Sequence, residues 1–156
     1  MNLPPSLSEA LAPLFEKLPL DAAMPQLLPT QPASSELLGI VKDLVVTSAV
    51  SQNPTLAAGL WLYVDDLSRS HEISQQIPGA EGSLWHGIMH PREGDFWNSK
   101  YWLQHAGKTS ALSTVQAVSF VDRVQKASPA NPPELLEEQR EEWAQLFEWC
   151  AKEKAL

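Results

Sequence analysis

The chain has 156 residues, of which 44% are apolar and 19% are charged, and its 19 acidic against 11 basic residues give a formal net charge of −8. This length and apolar content suit one packed domain and exclude disorder for most of the chain. The acidic balance argues against nucleic acid and anionic membrane surfaces as partners, because both would repel the protein.

Three further features concern the cellular compartment. The longest apolar stretch lies around Leu44–Val46 and is far shorter than the roughly 20 residues that span a bilayer. Cys150 is the only cysteine, so an intrachain disulfide is excluded. Residues 1–5 lack the basic flank and apolar run of a signal peptide, and we therefore expect a cytoplasmic protein. The sequence makes no prediction about the oligomeric state.

Residues 1–33 are rich in proline and predict an arm that contains a short helix. Ser6 and Glu9 form a capping-box pattern at the start of this helix, and Pro13 is expected to interrupt it. The remainder, residues 34–156, is predicted to form a single helical domain.

The next predicted helix begins at Ser34 or Ser35 and runs to about Ser48. Its β-branched residues, including Val45 and Val46, leave a strand as the alternative, although the length of the segment favours a helix.

Asn53 and Pro54 then mark the start of the longest predicted helix, which runs to Ile77. This helix is expected to be the spine of the fold. Leu60 and His71 lie on its apolar stripe, so the imidazole is predicted to point where the core residues point.

Shorter helices follow. Ser83 is predicted to cap a helix over residues 84–90 that Pro91 ends, and Asp95 is predicted to cap another over residues 96–105. Two more helices are expected, one from Ser113 or Thr114 and one after the proline-rich linker 128–133. The predicted fold is all-α, an irregular bundle of five to seven helices in a single domain.

The histidines are the most informative residues. His86 and His90 are spaced i, i+4 and so share a helical face, as a metal-binding pair requires. In an antiparallel hairpin with the preceding helix, a rise of about 1.5 Å per residue places His71 roughly 9 Å from the turn and His90 at about 10 Å. The three rings are therefore predicted to converge, whereas His105 ends the following helix.

Three converging imidazoles, with Glu93 or Asp95 just beyond them, suit zinc, iron, manganese or nickel. An open coordination position on such an ion would turn bound water into a nucleophile. The alternative is structural, because a histidine on an apolar stripe is often a core residue whose ring nitrogens are satisfied by other groups. The pair also lacks the glutamate that follows the first histidine in metalloprotease helices.

Aromatic residues flank the histidines and predict either a ligand pocket or ordinary core. The members that would bind a ligand are Trp85, Trp97 and Tyr101, with Trp102 beside them. Arg92 and Lys100 are weaker candidates for holding an anionic group of that ligand.

The segments Ser70–Gln75 and Trp85–Trp102 resemble a family of bacterial and fungal proteins that share the patterns SHxISQ and WHGIMHxREGDFxNSKYW. The members of this family are uncharacterised, so the resemblance predicts no activity. Pro91 stands where the family has a basic residue and Trp97 where it has a small polar one. A looser similarity of architecture links the chain to DinB-like helical bundles, in which three histidines surround a divalent metal.

Two functions remain open from the sequence. The first is a small metal-dependent or histidine acid–base enzyme acting on a small polar molecule, with His71, His86 and His90 as metal ligands or proton carriers and Glu93 as the carboxylate. The second is a non-catalytic ligand-binding or protein-interaction module that uses the Trp and Tyr cluster. Metal content distinguishes the two.

Overall fold

A computed structural model describes residues 1–153 and contains α-helices and one short 3-10 helix, His90–Glu93, with no strand in this part of the chain. The predicted all-α fold is confirmed, and residues 1–153 form eight α-helices in place of the expected five to seven. They are α1 (Pro5–Lys17), α2 (Ser35–Leu44), α3 (Pro54–Tyr63), α4 (Leu67–Ser74), α5 (Ala80–Met89), α6 (Phe96–Ala106), α7 (Thr114–Ala127) and α8 (Pro133–Glu153).

Helix α3 lies at the centre of the bundle and packs against α4, α5 and α8. Nearly all of its residues are buried, which explains why its sequence is apolar on every side. Gly59 allows the closest of these contacts, since a Cβ there would lie 2.7 Å from the ring of Trp85 and 2.8 Å from that of Phe147.

The predicted spine over residues 54–77 is wrong as a single helix, because the chain breaks between α3 and α4. Asp65 has a left-handed backbone with φ of 61°, which few residues adopt other than Gly, Asn and Asp. Asp66 then caps α4 by accepting a hydrogen bond from the backbone N–H of Arg69 at 3.1 Å. His71 consequently lies on α4, a separate helix.

Helix α5 begins earlier than predicted. Gly79, with φ of 84°, precedes its first residue, and the hydroxyl of Ser83 donates to the Gly79 carbonyl at 3.1 Å, so Ser83 lies inside the helix and is not its cap. At the other end Pro91 lacks the N–H that an α-helix needs. The chain tightens into the 3-10 helix and leaves it at Gly94, with φ of 78°.

Helix α6 begins and ends where predicted, with the Asp95 side chain accepting from the N–H of Asn98 at 3.2 Å and Gly107 after its last residue. It packs closely on α5. A Cβ on Gly87 would lie 2.5 Å from Leu103, and the hydroxyl of Ser99 donates to the Gly87 carbonyl at 2.5 Å. The two helices are therefore held at a short distance beside the histidines.

The N-terminal helix differs from its prediction in one respect, since α1 continues through Pro13. Its leucines Leu7, Leu11 and Leu14 are buried in the same apolar core as α3, so packing outweighs the one backbone hydrogen bond that proline removes. Helix α2 is shorter than predicted and ends at Leu44.

None of the helices within residues 1–153 is both long enough and apolar enough to cross a membrane.

Candidate metal centre

Three histidines, from α4, α5 and the first position of the 3-10 helix, lie close together, as predicted. His71 comes from α4 and His86 from α5, while His90 follows α5 at the start of the 3-10 helix. One ring nitrogen from each lies within 4.8 Å of the other two. We call these residues the histidine triad.

The rings of the triad are almost evenly spaced. Their centroids lie 5.1 Å apart for His71 and His86, 5.3 Å for His71 and His90, and 5.6 Å for His86 and His90. His86 and His90 are buried, and His71 is half-buried, so the triad reaches solvent on the His71 side.

Hydrogen bonds determine which nitrogen of two of these rings carries the proton. Nδ1 of His86 lies 3.1 Å from the Gly82 carbonyl oxygen, and Nδ1 of His90 lies 3.2 Å from a carboxylate oxygen of Glu93. Both partners are acceptors, so each Nδ1 carries the proton and each Nε2 keeps its lone pair. This is the arrangement of metal-bound histidines, whose other ring nitrogen donates to a carbonyl or carboxylate.

Burial also favours the neutral form of these rings. It lowers the pKa of His86 to about 4, helped by the nearby His71 and His90 and opposed by the hydrogen bond to Gly82. Burial lowers the pKa of His90 as well, although Glu93 opposes the shift. A neutral imidazole is the form that coordinates a metal ion.

Glu93 is not one of the residues whose ligand atoms converge. Its carboxylate contacts the triad through Nδ1 of His90. It therefore occupies a position suited to orienting a ligand. Asp95, the second carboxylate considered from the sequence, caps α6 and accepts from the side chain of Asn98 at 2.9 Å.

The predicted aromatic ligand-binding residues lie in two different environments. Trp85 is fully buried in the core beside Gly59, and its Nε1 has no hydrogen-bond partner within residues 1–153. Trp97 and Tyr101 are exposed on α6, at 74% and 47% of their surface, and their rings stack at 5.9 Å.

The two predicted cations have other partners. Arg92 is buried and bonds to Asp65 at 2.5 Å and to the Leu62 carbonyl at 3.1 Å. Lys100 pairs with Asp122 on α7 at 2.7 Å.

A cleft lies beside the triad, and none of the five residues predicted to bind a ligand lines it. It has a volume of about 320 Å³, and its lining includes His86, Trp102 and His105. The Trp102 ring stacks on His86 at 4.5 Å with 14° between the planes, and its edge meets His105 at 5.6 Å. Only the i, i+3 spacing of Trp102 and His105 was visible in the sequence, whereas the contact with His86 depends on how α6 packs on α5.

The chain matches no protein-family model, no curated protein and no solved structure. The geometry of the triad and of the cleft therefore carries the functional interpretation.

Proposed function

We propose that the protein binds one divalent metal ion through Nε2 of His86 and His90 and a ring nitrogen of His71, and that it is an enzyme that activates water at this ion against a small polar molecule. The observation that supports this proposal is the convergence of three imidazoles. In two of them, His86 and His90, Nδ1 is already hydrogen-bonded to another group, which leaves Nε2 for the metal ion. Three protein ligands leave a coordination position for water, whose pKa such an ion lowers to about 7.

The ring spacing favours zinc among the four metals that the sequence left open. With a metal–nitrogen bond of about 2.05 Å, imidazole centroids lie about 5.2 Å apart at tetrahedral angles and about 4.5 Å apart at right angles. The spacings of 5.1, 5.3 and 5.6 Å correspond to the tetrahedral case. Zinc prefers that geometry, whereas manganese prefers octahedral oxygen-rich sites.

Elemental analysis and thermal melts test the metal. Purified protein should contain close to one equivalent of zinc, and zinc added to chelator-treated protein at a hundredfold excess over Kd should add about 2.7 kcal/mol of stability. For a domain of this length, the melting temperature should rise by roughly 5–10 °C.

Variants identify the histidines on which the zinc-dependent rise in melting temperature depends. His90→Ala should remove most of the zinc-dependent rise, and so should His71→Ala, which removes a half-buried ring and perturbs the core less. His105→Ala should keep the rise, because His105 lies outside the triad. A protein that binds no zinc, manganese, nickel or ferrous iron would overturn the proposal.

The exposed stacked pair Trp97 and Tyr101 supports the second candidate, a non-catalytic binding module. Exposed neighbouring aromatic rings are typical of surfaces that bind a ligand or partner. Under this alternative, Trp97→Ala would abolish binding of the partner, while removal of metal would have no effect.

A further inference from the structure

A groove lies between helix α4 and the part of the chain that leads from α2 into α3. Its volume is about 770 Å³, within the range of roughly 300–1,000 Å³ that is usual for ligand sites. Its lining comes from residues between 45 and 57, from α4 and the turn that follows it, and from the start of α5. We call it the α4 groove.

The α4 groove is separate from the histidine triad, although α4 contributes to both. Ile73 lines the groove, whereas His71 does not. At about 100° of rotation per residue, these two side chains leave the helix axis in nearly opposite directions. A ligand of the groove would therefore contact α4 on the side away from the triad, and its binding does not depend on a metal ion.

More than half of the residues that line the groove are apolar. Four of them, Val45, Ala57, Ile73 and Ile77, are half-buried and pack against the main core. Each still exposes apolar surface, and covering that surface would remove it from water at a gain in free energy. The lining thus supplies the hydrophobic part of a binding surface.

The charged residues of the lining, Glu72 and Glu81, are both acidic. Neither carboxylate forms an ion pair or a hydrogen bond within residues 1–153. No Lys or Arg lies in the described lining to balance them. Electrostatic complementarity therefore favours an occupant that carries positive charge.

A second copy of this chain does not meet that requirement. A symmetric dimer formed through the groove would bring Glu72 and Glu81 of both copies to one interface. Each copy also has a formal net charge of −8, so like charges would oppose the association.

We propose that the α4 groove is a docking surface for a partner protein and that it binds the apolar face of a short amphipathic helix flanked by Lys or Arg. Apolar side chains at i, i+3, i+4 and i+7 of such a helix would cover the lining, and its cations would pair with Glu72 and Glu81. Residues 1–153 contain no strand, so the groove offers no sheet edge to which an extended peptide could add.

Calorimetric titration of the full chain with a synthetic helix built from leucine and lysine tests this proposal. The leucines occupy positions i, i+3, i+4 and i+7, and a second peptide carries glutamate in place of every lysine. The lysine peptide should bind at least tenfold more tightly than the glutamate peptide. No binding of the lysine peptide, or equal binding of the two, would overturn the proposal.

Paired variants test the role of the two carboxylates. Glu72→Gln combined with Glu81→Gln should weaken the lysine peptide about fivefold, because two exposed ion pairs are lost. Glu134→Gln combined with Glu137→Gln removes two exposed acids outside the groove and should change the affinity less than about twofold. An equal loss in both double variants would attribute binding to net charge and refute a docking surface at this groove.

A second pair of variants tests the apolar lining. Ile77→Ala should weaken the lysine peptide about fivefold, whereas Val46→Ala should not, because Val46 is 76% exposed and lies outside the lining. Circular dichroism of each variant verifies that the fold is retained. Unchanged affinity in folded Ile77→Ala protein, or a dimer in solution that this change dissociates, would overturn the proposal.

Discussion

At the scale of single residues, the hydrogen bonds of His86 and His90 to residues outside the triad determine the tautomer of each ring. The Gly82 carbonyl and the Glu93 carboxylate hold His86 and His90 with one tautomer each, so Nε2 of both rings keeps its lone pair. A metal ion at this position would therefore meet two rings that are already oriented.

Removing the carboxylate behind His90 should weaken metal binding. Glu93→Ala is expected to lower zinc affinity by about 10- to 100-fold, because ring orientation and ligand basicity both depend on this contact. Competition with a chromogenic chelator measures the change. Glu72→Ala removes an exposed acid next to His71 and should change affinity little, whereas equal losses in both variants would mean that net charge alone is responsible.

Metal-free protein should lose stability as the pH falls from about 6.5 to 4. Burial lowers the pKa of His86 to about 4, whereas an unfolded histidine titrates near 6.5. In this pH range His86 binds a proton in the unfolded state but not in the folded state, so a lower pH favours unfolding. The stabilisation is complete above about pH 6.5 and is lost as the pH falls to about 4.

The expected loss from His86 alone is roughly 3 kcal/mol, at about 1.4 kcal/mol for each unit of pKa. Urea titrations of chelator-treated protein across this pH range measure it. His86→Gln cannot titrate and should flatten the profile by that amount. Identical profiles for the two proteins would contradict the lowered pKa.

At the scale of helices, the close contact between α5 and α6 positions Trp102 against His86. Gly87→Ala would bring a Cβ to within 2.5 Å of Leu103, a side chain that is fully buried and has little room to move. The substitution should cost about 1–3 kcal/mol of unfolding free energy. Leu103→Ala in the same chain should recover part of the loss, which a double-mutant cycle measures.

Gly39 provides the matched control, since it also lies within a helix but has open space around its Cβ position. Gly39→Ala should stabilise the protein by about 0.5–1 kcal/mol through helix propensity. A gain at both positions would show that α5 and α6 are less tightly packed than the structure indicates.

The sequence predicts some helix boundaries well and others poorly, for a physical reason. Asp95 and Ser113 lie at helix starts where a side chain caps the backbone locally, so short-range pattern suffices. The break at Asp65 was missed because the apolar stripe continues past it, although the Asp65–Asp66 pair before Arg69 was a signal. The convergence of the triad followed from helix rise alone, whereas the Trp102 stack needed knowledge of tertiary packing.

At the scale of the whole molecule, one buried ion pair links distant parts of the chain. Arg92 from the 3-10 helix bonds to Asp65 between α3 and α4, and also to the Gln26 carbonyl of the N-terminal segment at 3.2 Å. Three segments that are far apart in sequence thus depend on one guanidinium, next to the helix end that carries His90.

Arg92→Ala should destabilise the protein by about 3–5 kcal/mol, because it leaves the Asp65 carboxylate buried without its partner. The variant with both Arg92→Ala and Asp65→Ala should lose less than the sum of the single changes. Urea denaturation measures both. Lys100→Ala breaks the exposed pair with Asp122 and should cost below about 1 kcal/mol, so a similar loss at both sites would contradict a structural role for Arg92.

The stacking of Trp102 on His86, 4.5 Å between ring centroids, places an indole fluorophore directly against the candidate metal site. Open-shell ions such as nickel or cobalt quench nearby indole emission, whereas closed-shell zinc does not. Nickel should therefore lower the tryptophan fluorescence of the protein by the fraction that Trp102 contributes. The Trp102→Phe variant should not show this decrease. Trp102 fluorescence would thus provide a direct test of whether the histidine triad binds an ion.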